Sequence, residues 1–332
     1  MSHALSMQFD RGLLGLGFIL GCAYIPLAAP LPEVDSINAL TSRLIHQGTE
    51  RDALYAIAYD DGRTYAVGAG TGLLSSESPG GNWSHQDLDA IDFAVFGIAL
   101  TNDITMLVGQ QGKASIRRGE SAPWLEVQTG LSERLLNIDA AANGVATVVG
   151  GFGSLAVSTD FGSAWKTIET DWESVLNDWF EPHLYDVDVS ENQITVVGEF
   201  GVVMRSADSG MTWSIQSIGD ASLFALDLRA DGVGYVVGQD GFVARSEDNG
   251  ASWTPCLFEG GGNLFGVSSH QDRVIAVGMR SVLVSDDSCQ SFAPRSSPVE
   301  STGWWQEAVY QPESNRFLAI GSGGRILSLE GT

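Results

Sequence analysis

The sequence predicts an all-β fold, a seven-bladed β-propeller of four-stranded antiparallel blades, and an internal repeat is the main reason. An apolar β-forming residue followed by glycine recurs seven times in the 332 residues, as Val67-Gly68, Val108-Gly109, Val149-Gly150, Val197-Gly198, Val237-Gly238, Val277-Gly278 and Ile320-Gly321. The glycines lie 41, 41, 48, 40, 40 and 43 residues apart. A period of about 40–45 residues containing short strands is typical of one propeller blade per repeat.

Aromatic residues and composition support the same fold. A bulky aromatic residue closes each of the first six repeats, at Trp83, Trp124, Trp165, Trp213, Trp253 and Phe292. The chain contains 40 glycines and is only 17% charged. Such a composition is expected where tight turns join many short strands.

The fourth repeat shows how one blade is built. Alternating apolar residues at 184–189 predict the innermost strand, and residues 193–197 and 202–206 predict the second and third strands. Gly198 and Gly201 mark the turn between the second and third strands, where we expect glycine to be required for a positive φ. The outer strand follows a second turn.

The seventh repeat lacks an outer strand, because it stops near Leu329. Residues 41–47 precede the first inner strand at the usual distance and resemble the outer strand that starts at Trp213. We predict that this N-terminal strand completes blade seven and closes the ring. Closure removes an exposed strand edge that would favour aggregation.

A motif of the form S-x-D-x-G-x-x-W falls in the turn between the third and outer strands. Complete copies occupy 158–165, 206–213 and 246–253, and degenerate copies occupy 76–83, 117–124 and 285–292. This is the signature of the Asp-box, or bacterial neuraminidase repeat. The aspartate is expected to accept backbone N–H groups, and the glycine to adopt a left-handed conformation. These carboxylates are therefore predicted to be structural, and no catalytic residue is predicted.

The Asp-box turns, the G-x-x-G corners and the stretch Gly-Tyr-Val-Val-Gly at 234–238 resemble one particular family. It comprises the photosystem II assembly and stability factors of cyanobacteria and plastids, with their bacterial relatives. The resemblance covers roughly residues 40–330. It implies an exported propeller, often lipid-anchored or lumenal, that binds newly made membrane protein and assists assembly without catalysis.

An arginine patch on one propeller face is a feature of that family. Arg205 and Arg245 precede the motif serine in repeats four and five, and Arg117 occupies the serine position in repeat two. The resemblance makes these three arginines candidate partner-binding residues. The alternative is that each is a strand residue whose aliphatic stem packs against the protein. The positions that match Arg205 in the remaining motif copies hold Ser75, Val157 and Val284.

Residues 1–35 lie outside the repeat, and the propeller is predicted to span 36–332. Residues 12–29 form a run of 18 without a charge, and a proline-rich spacer at 26–32 overlaps its end. This pattern predicts a signal peptide or membrane anchor. The protein is therefore expected to be exported, to the periplasm or a lumen, or to be anchored on the extracytoplasmic side of a membrane.

Cys22 is a candidate for lipidation, because the preceding Ile-Leu-Gly resembles a bacterial lipobox. Cleavage near Ala28-Ala29 and an uncleaved anchor are the alternatives.

The net charge of −24 argues against nucleic-acid binding. The expected partner is a membrane-protein complex or another envelope protein, bound by a monomeric propeller that meets the membrane only through its N-terminal segment. The five histidines show no metal-ligand spacing, and no metal or cofactor is predicted.

Cys256 and Cys289 are expected to be separate, partly buried thiols. One follows a blade-closing tryptophan and the other lies in the hairpin turn of the next blade, so we place them at different heights on the sheet. A disulfide between them is the alternative.

The longest step, of 48 residues, marks an insertion between repeats three and four. It contains Trp172, Trp179 and Phe180 among several carboxylates. Such residues form a recognition element or fold the loop onto its blade, and all three are candidate partner-binding residues. Trp304 and Trp305 begin the seventh repeat, either near the central opening or in the core between blades.

The alternative function is a sialidase-like, glycan-active or glycan-binding Asp-box propeller. A sialidase needs an arginine triad, a Tyr–Glu pair and an aspartic acid. No early Arg-Ile-Pro motif is present, because the only Arg-Ile pair, Arg325-Ile326, precedes leucine. The sequence therefore favours an exported, non-catalytic, protein-binding propeller that serves as an assembly or scaffold factor for a membrane complex.

Overall fold

The computed structural model describes residues 40–70, 72–77, 82–177, 179–258, 260–295 and 297–331. The predicted signal or anchor segment, with Cys22, lies outside these residues. The described part of the chain forms seven four-stranded antiparallel sheets, which confirms the seven-bladed propeller. No helix among those residues is long and apolar enough to cross a membrane.

Four strands of each blade run from the central axis outwards. The inner strands of blades one to seven are β2 (Ala53–Asp60), β6 (Val95–Thr101), β10 (Leu135–Ala140), β14 (Leu184–Ser190), β18 (Leu223–Leu228), β22 (Leu264–His270) and β26 (Trp305–Gln311). The second strands are β3 (Arg63–Ala69), β7 (Ile104–Gly109), β11 (Ala146–Gly150), β15 (Gln193–Gly198), β19 (Gly234–Gly238), β23 (Arg273–Gly278) and β27 (Arg316–Gly321).

The third strands are β4 (Gly72–Ser76), β8 (Lys113–Arg118), β12 (Leu155–Ser158), β16 (Val202–Ser206), β20 (Val243–Ser246), β24 (Ser281–Ser285) and β28 (Arg325–Gly331). The outer strands of blades one to six are β5 (Ser84–Gln86), β9 (Leu125–Gln128), β13 (Lys166–Thr167), β17 (Ser214–Ser217), β21 (Thr254–Pro255) and β25 (Ala293–Pro294). Among the described residues, one α-helix, α1 (Trp172–Leu176), lies in the insertion, and short 3₁₀ turns occupy Gln110–Gly112, Glu199–Gly201, Gln239–Gly241 and Pro312–Ser314.

The N-terminal strand β1 (Leu40–His46) is the outer strand of blade seven, as predicted. It pairs antiparallel with β28, with Leu40 opposite Gly331 and Leu44 opposite Leu327. Leu40 is buried in the same apolar cluster as Trp305 and Leu329. The two ends of the propeller are therefore joined by both hydrogen bonds and a shared core.

The cores lie between blades. Seven apolar clusters are present among the described residues, and each combines side chains from two neighbouring blades. Fully buried valines of the second strands, such as Val196 and Val236, face these interfaces. Burying one such side chain contributes about 1.5–3 kcal/mol, so the ring is stabilised by contacts between sheets.

The repeated glycine has a different role from the one we expected. Gly109 and Gly198 at the end of a second strand have φ of −174° and −161°, which is extended backbone. A Cβ on Gly68 would lie 1.8 Å from the carbonyl oxygen of Ala53. Close approach of the inner strand therefore requires this glycine. Positive φ applies instead to the second glycine of the turn, as at Gly201, with φ 67°.

The S-x-D-x-G-x-x-W turns use their aspartates for structure. In blade four, Asp208 accepts the backbone N–H of Thr212 at 2.8 Å and its hydroxyl at 2.6 Å. These bonds, with that from Ser206, lower the pKa of Asp208 to about 2. Gly210 has a φ of 80°, and the indole N–H of Trp213 donates to its carbonyl at 3.2 Å.

The expectation of separate thiols is wrong, because Cys256 and Cys289 form a disulfide with a Cα–Cα distance of 5.8 Å. Height within one sheet does not decide their distance, because the cysteines lie on neighbouring blades. Each hairpin turn packs on the preceding blade, as Gly210 does on Val157. Cys289 replaces the turn glycine in blade six, and this packing brings it to the end of the outer strand of blade five.

Candidate functional site

The inner strands carry one β-bulge each, close to their first residue. In all seven blades one residue of the inner strand has no partner on the second strand, while the residues on either side of it are paired. Such bulges redirect a side chain. The bulged residues together line a cavity of about 320 Å³ at one mouth of the central channel, and they are Tyr55, Phe96, Leu136, Tyr185, Phe224, Phe265 and Gln306.

Five of these residues are aromatic and half-buried, and we call them the aromatic collar: Tyr55, Phe96, Tyr185, Phe224 and Phe265. Neighbouring rings contact one another in two arcs. Ring centroids lie 5.6 Å apart for Tyr55 and Phe96, 5.1 Å for Tyr185 and Phe224, and 5.8 Å for Phe224 and Phe265. The collar therefore presents aromatic surface around most of the channel mouth.

The two tryptophans that open the seventh repeat take separate positions. Trp304 stacks on Tyr55 of the collar with a centroid distance of 6.1 Å. Trp305 is fully buried in the core between blades six and seven. Trp304 therefore lies near the central opening and Trp305 in the core between blades, which are the two alternatives that the sequence left open.

Below the collar lie five acidic side chains, which we call the channel carboxylates: Asp139, Asp186, Asp188, Asp227 and Glu307. Most of them join neighbouring blades. Asp139 accepts the backbone N–H of Val189 at 2.7 Å, and Asp186 accepts that of Leu226 at 2.8 Å. Glu307 accepts the N–H of Ile57 at 3.0 Å across the closure of the ring.

The position of the channel carboxylates inside the ring disfavours their charged forms. Burial raises the pKa of Asp186 to about 7 and that of Asp227 to about 6. Burial and repulsion by neighbouring carboxylates raise the pKa of Asp188 and of Glu307 well above their usual values. Burial also raises the pKa of Asp139. Part of this cluster therefore changes charge near neutral pH.

A second aromatic surface lies on the same face, which we call the channel face because the inner strands begin there. It consists of Phe152, Trp179, Phe180 and Phe200, and we call it the aromatic patch. Trp179 is 77% exposed and stacks on Phe180 at 4.2 Å, and Phe180 lies 6.4 Å from Phe200. A large exposed apolar surface of this kind is typical of an interaction site.

Two members of the aromatic patch adopt an unfavourable backbone conformation. Phe152 and Phe200 have φ of 51° and 57° in the turns between the second and third strands. Bulky residues are rare in this left-handed region, which costs roughly 1–2 kcal/mol. The matching positions hold polar residues in three other blades, Gln111, Asp240 and Arg280, and glycine in blades one and seven, Gly70 and Gly323. Packing does not explain exposed aromatic rings at these positions.

The aromatic patch continues into the collar. The ring of Phe152 meets that of His183 edge to face at 4.8 Å, and His183 lies 6.2 Å from Tyr185. The phenol of Tyr185 donates to Glu199 at 3.2 Å. Patch and channel mouth therefore form one surface.

The insertion places its three candidate residues differently. Trp172 is buried in the core between blades three and four, and its indole nitrogen lies beside Gly153, where a Cβ would approach within 2.3 Å. It folds the loop onto the blade. Trp179 and Phe180 are exposed at 77% and 46%. Partner binding by these residues stays a prediction.

The three arginines do not form one cluster. Arg205 and Arg245 lie at equivalent positions on the third strands of blades four and five, opposite Thr195 and Tyr235. Arg117 lies one residue further along the third strand of blade two, at the position of the motif serine, and pairs with Thr105. Arg117 is buried, its guanidinium covers the ring of Trp124 at 4.6 Å, and it donates to Gln86 at 2.8 Å. The burial of Arg117 favours a packing role there. A role of Arg117, Arg205 and Arg245 in partner binding stays a prediction.

The described channel lining holds aspartates, and its Tyr185 is paired with Glu199, but it lacks the arginine triad that a sialidase needs. The residues that line its two halves, as far as the structure describes them, include five carboxylates and no arginine. Within the described ranges no group of three or more histidines, cysteines and carboxylates is placed to hold a metal ion.

Sequence reasoning missed the collar and the channel carboxylates. A signal for the collar exists, because an aromatic residue stands 13 or 14 residues before the repeated glycine in five repeats, as Tyr185 does before Gly198. The alternation of the inner strands then places Asp186 and Asp188 on a common face.

The comparisons with known proteins agree on the fold. No protein-family model matches the chain, and no curated protein matches it. Among solved structures, YCF48 from Cyanidioschyzon merolae superposes with a TM-score of 0.70 and 15% identity, over 87% of this chain and 98% of that one. YCF48 bound to D1 peptide gives 0.69 and 16%, over 89% and 98%.

The WD40 repeats of RRP9 are equally similar in shape, with a TM-score of 0.70 and 11% identity over 88% of this chain and 97% of the other. At these identities the likeness shows the fold alone. The fold and the site define a β-propeller with an aromatic channel face.

Proposed function

We propose that this chain is an exported, non-catalytic propeller that binds a protein client and acts as an assembly or scaffold factor for a membrane complex. The observation that carries the proposal is the exposed aromatic patch, with two of its rings held at positive φ. Exposed aromatic residues in contact with one another are frequent hot spots of protein interfaces. A structure of similar fold, YCF48, binds the D1 peptide, which supports a client that is itself a membrane protein.

The disulfide supports the proposed export. Cys256 and Cys289 are bonded, and disulfides persist mainly in oxidising compartments outside the cytoplasm. The uncharged run at 12–29 provides a route for that export. We place the protein in the periplasm, in a lumen or on the extracytoplasmic side of a membrane.

Affinity purification from detergent-solubilised native envelopes tests the proposed function. We expect the tagged full chain to co-purify with a membrane-protein client, and the variant Trp179→Ser/Phe180→Ser/Phe200→Ser to lose at least nine-tenths of it. The loss follows because truncating interface aromatics removes about 2 kcal/mol or more each.

Met211→Ser is the matched control, since Met211 is 73% exposed but lies in the hairpin turn of blade four on the opposite face. Equal client recovery by the triple variant and the control would contradict the proposal, as would the absence of any client with the unaltered chain. Unchanged circular dichroism of the variants shows that they are folded.

A further inference from the structure

We propose that the channel face binds an extended, cationic segment of its protein client by inserting one arginine or lysine side chain through the aromatic collar towards the channel carboxylates. This inference rests on the proposed function, because it names the chemistry of the client. It assigns the central channel as the specificity site and the aromatic patch as the adjoining surface for apolar residues of the same segment.

The collar has the chemistry that selects a cation. An aromatic ring attracts a guanidinium or ammonium group to its face, and several rings around one opening add their effects. The chain already shows this preference, since the guanidinium of Arg134 lies 5.2 Å from the centre of the Phe96 ring. A client cation would meet the remaining rings, such as Phe224 and Phe265.

The channel below the collar supplies the opposite charge. Asp186 and Glu307 line the same cavity as the collar rings. Glu307 uses Oε2 for the N–H of Ile57, and among the described residues no donor reaches Oε1 within hydrogen-bond distance. Burial raises the pKa of Glu307, and a cation placed beside it favours the ionised form, which can accept several bonds. This oxygen therefore has capacity for a client guanidinium.

The cavity has a suitable size and opening. Its volume of about 320 Å³ is at the lower end of the range for ligand sites, which accommodates one long side chain but not a folded domain. The patch reaches the collar through His183 and Tyr185, so an extended peptide can contact both surfaces at once. The net charge of −24 favours a basic segment on approach.

Fluorescence anisotropy with two labelled nonapeptides tests the inference. Each has phenylalanine and leucine flanks, and the central residue is arginine in one and neutral, nearly isosteric citrulline in the other. We expect the purified full chain to bind the arginine peptide at least tenfold more tightly. Glu307→Gln keeps an acceptor for the Ile57 N–H and should bring the ratio of the two peptide affinities close to one.

Phe224→Leu/Phe265→Leu keeps apolar side chains without aromatic rings, and it should reduce the ratio in the same way. Met211→Ala is the control and should leave the ratio unchanged. Circular dichroism and thermal unfolding show whether each variant is folded. If one of the two channel variants is misfolded, the other still tests the inference.

The outcomes separate this inference from the proposed function. Equal binding of both peptides, or binding of neither, overturns cation insertion. A ratio that persists in both channel variants also overturns it, because the cation then binds elsewhere. The proposed function survives each of these results as long as the unaltered chain recovers its client and Trp179→Ser/Phe180→Ser/Phe200→Ser does not.

Discussion

Lowering the pH from 8 to 5 should raise the midpoint of thermal unfolding of this protein by about 5–10 °C. A carboxylate whose pKa is raised in the folded state contributes stability that is present at low pH and is lost as the pH rises through the folded pKa. Burial raises the pKa of Asp186 to about 7, against a usual value of 3.8. Titration of this group alone between pH 5 and 8 changes the free energy of unfolding by about 3 kcal/mol. The midpoint of thermal unfolding of a protein of this size shifts by about 2–4 °C per kcal/mol.

Other groups define the limits of this pH window. Hydrogen bonds in their turns lower the pKa of Asp208 and Asp248 to about 2. The stability that these two carboxylates contribute is therefore lost only below about pH 4. Burial lowers the pKa of His46 and His270, which therefore act in the opposite direction below about pH 6.5. The five channel carboxylates outweigh these two histidines, and stability should be highest near pH 5.

Asp188→Asn provides the matched variant for the pH effect. The asparagine oxygen can still accept the N–H of Leu228, while one source of repulsion disappears. We expect this variant to be more stable than the unaltered chain at pH 8 and to depend less on pH, as measured by differential scanning calorimetry. A midpoint that falls steadily from pH 8 to 5, in both proteins, would show that the channel carboxylates are not responsible.

Leu40→Asp should lower the free energy of unfolding by at least about 3 kcal/mol and make the protein prone to aggregation. Leu40 is 3% exposed and packs with Trp305 and Leu329 at the closure of the ring. The substitution removes a buried leucine and places a carboxylate in an apolar cluster. Detachment of β1 also exposes the edge of β28.

The neighbouring residue supplies the control, because side chains alternate along a strand. Thr41 is exposed, so Thr41→Asp should change the free energy of unfolding by less than about 0.5 kcal/mol. Urea titration and light scattering measure both variants. Equal stability of the two would mean that β1 does not hold the ring closed.

Most of the fold follows from the repeat in the sequence. The apolar-glycine pairs locate the ends of the second strands, and 41–47 was correctly assigned as the closing strand, which the structure places at Leu40–His46. The reason for the glycine was misjudged at the sequence level, since local turn rules cannot reveal that the carbonyl of Ala53 lies against Gly68.

The candidate site is harder to predict from the sequence than the fold, because it depends on contacts between blades. Seven bulges on seven strands combine to form the channel mouth, and none is visible from one strand alone. The disulfide likewise joins two blades, between Cys256 and Cys289. By contrast, the insertion was found from its length, and its exposed Trp179 and Phe180 belong to the aromatic patch.

Site-specific photo-crosslinking in the native envelope tests the central claim most directly, namely that the channel face binds the client. A benzoylphenylalanine probe replaces Phe180 on the aromatic patch or Met211 on the opposite face, both of which are exposed. We expect crosslinks to one membrane-protein client from position 180 and none from position 211. Crosslinks to a client from position 211 alone, or none from position 180 while the client still co-purifies, would contradict it.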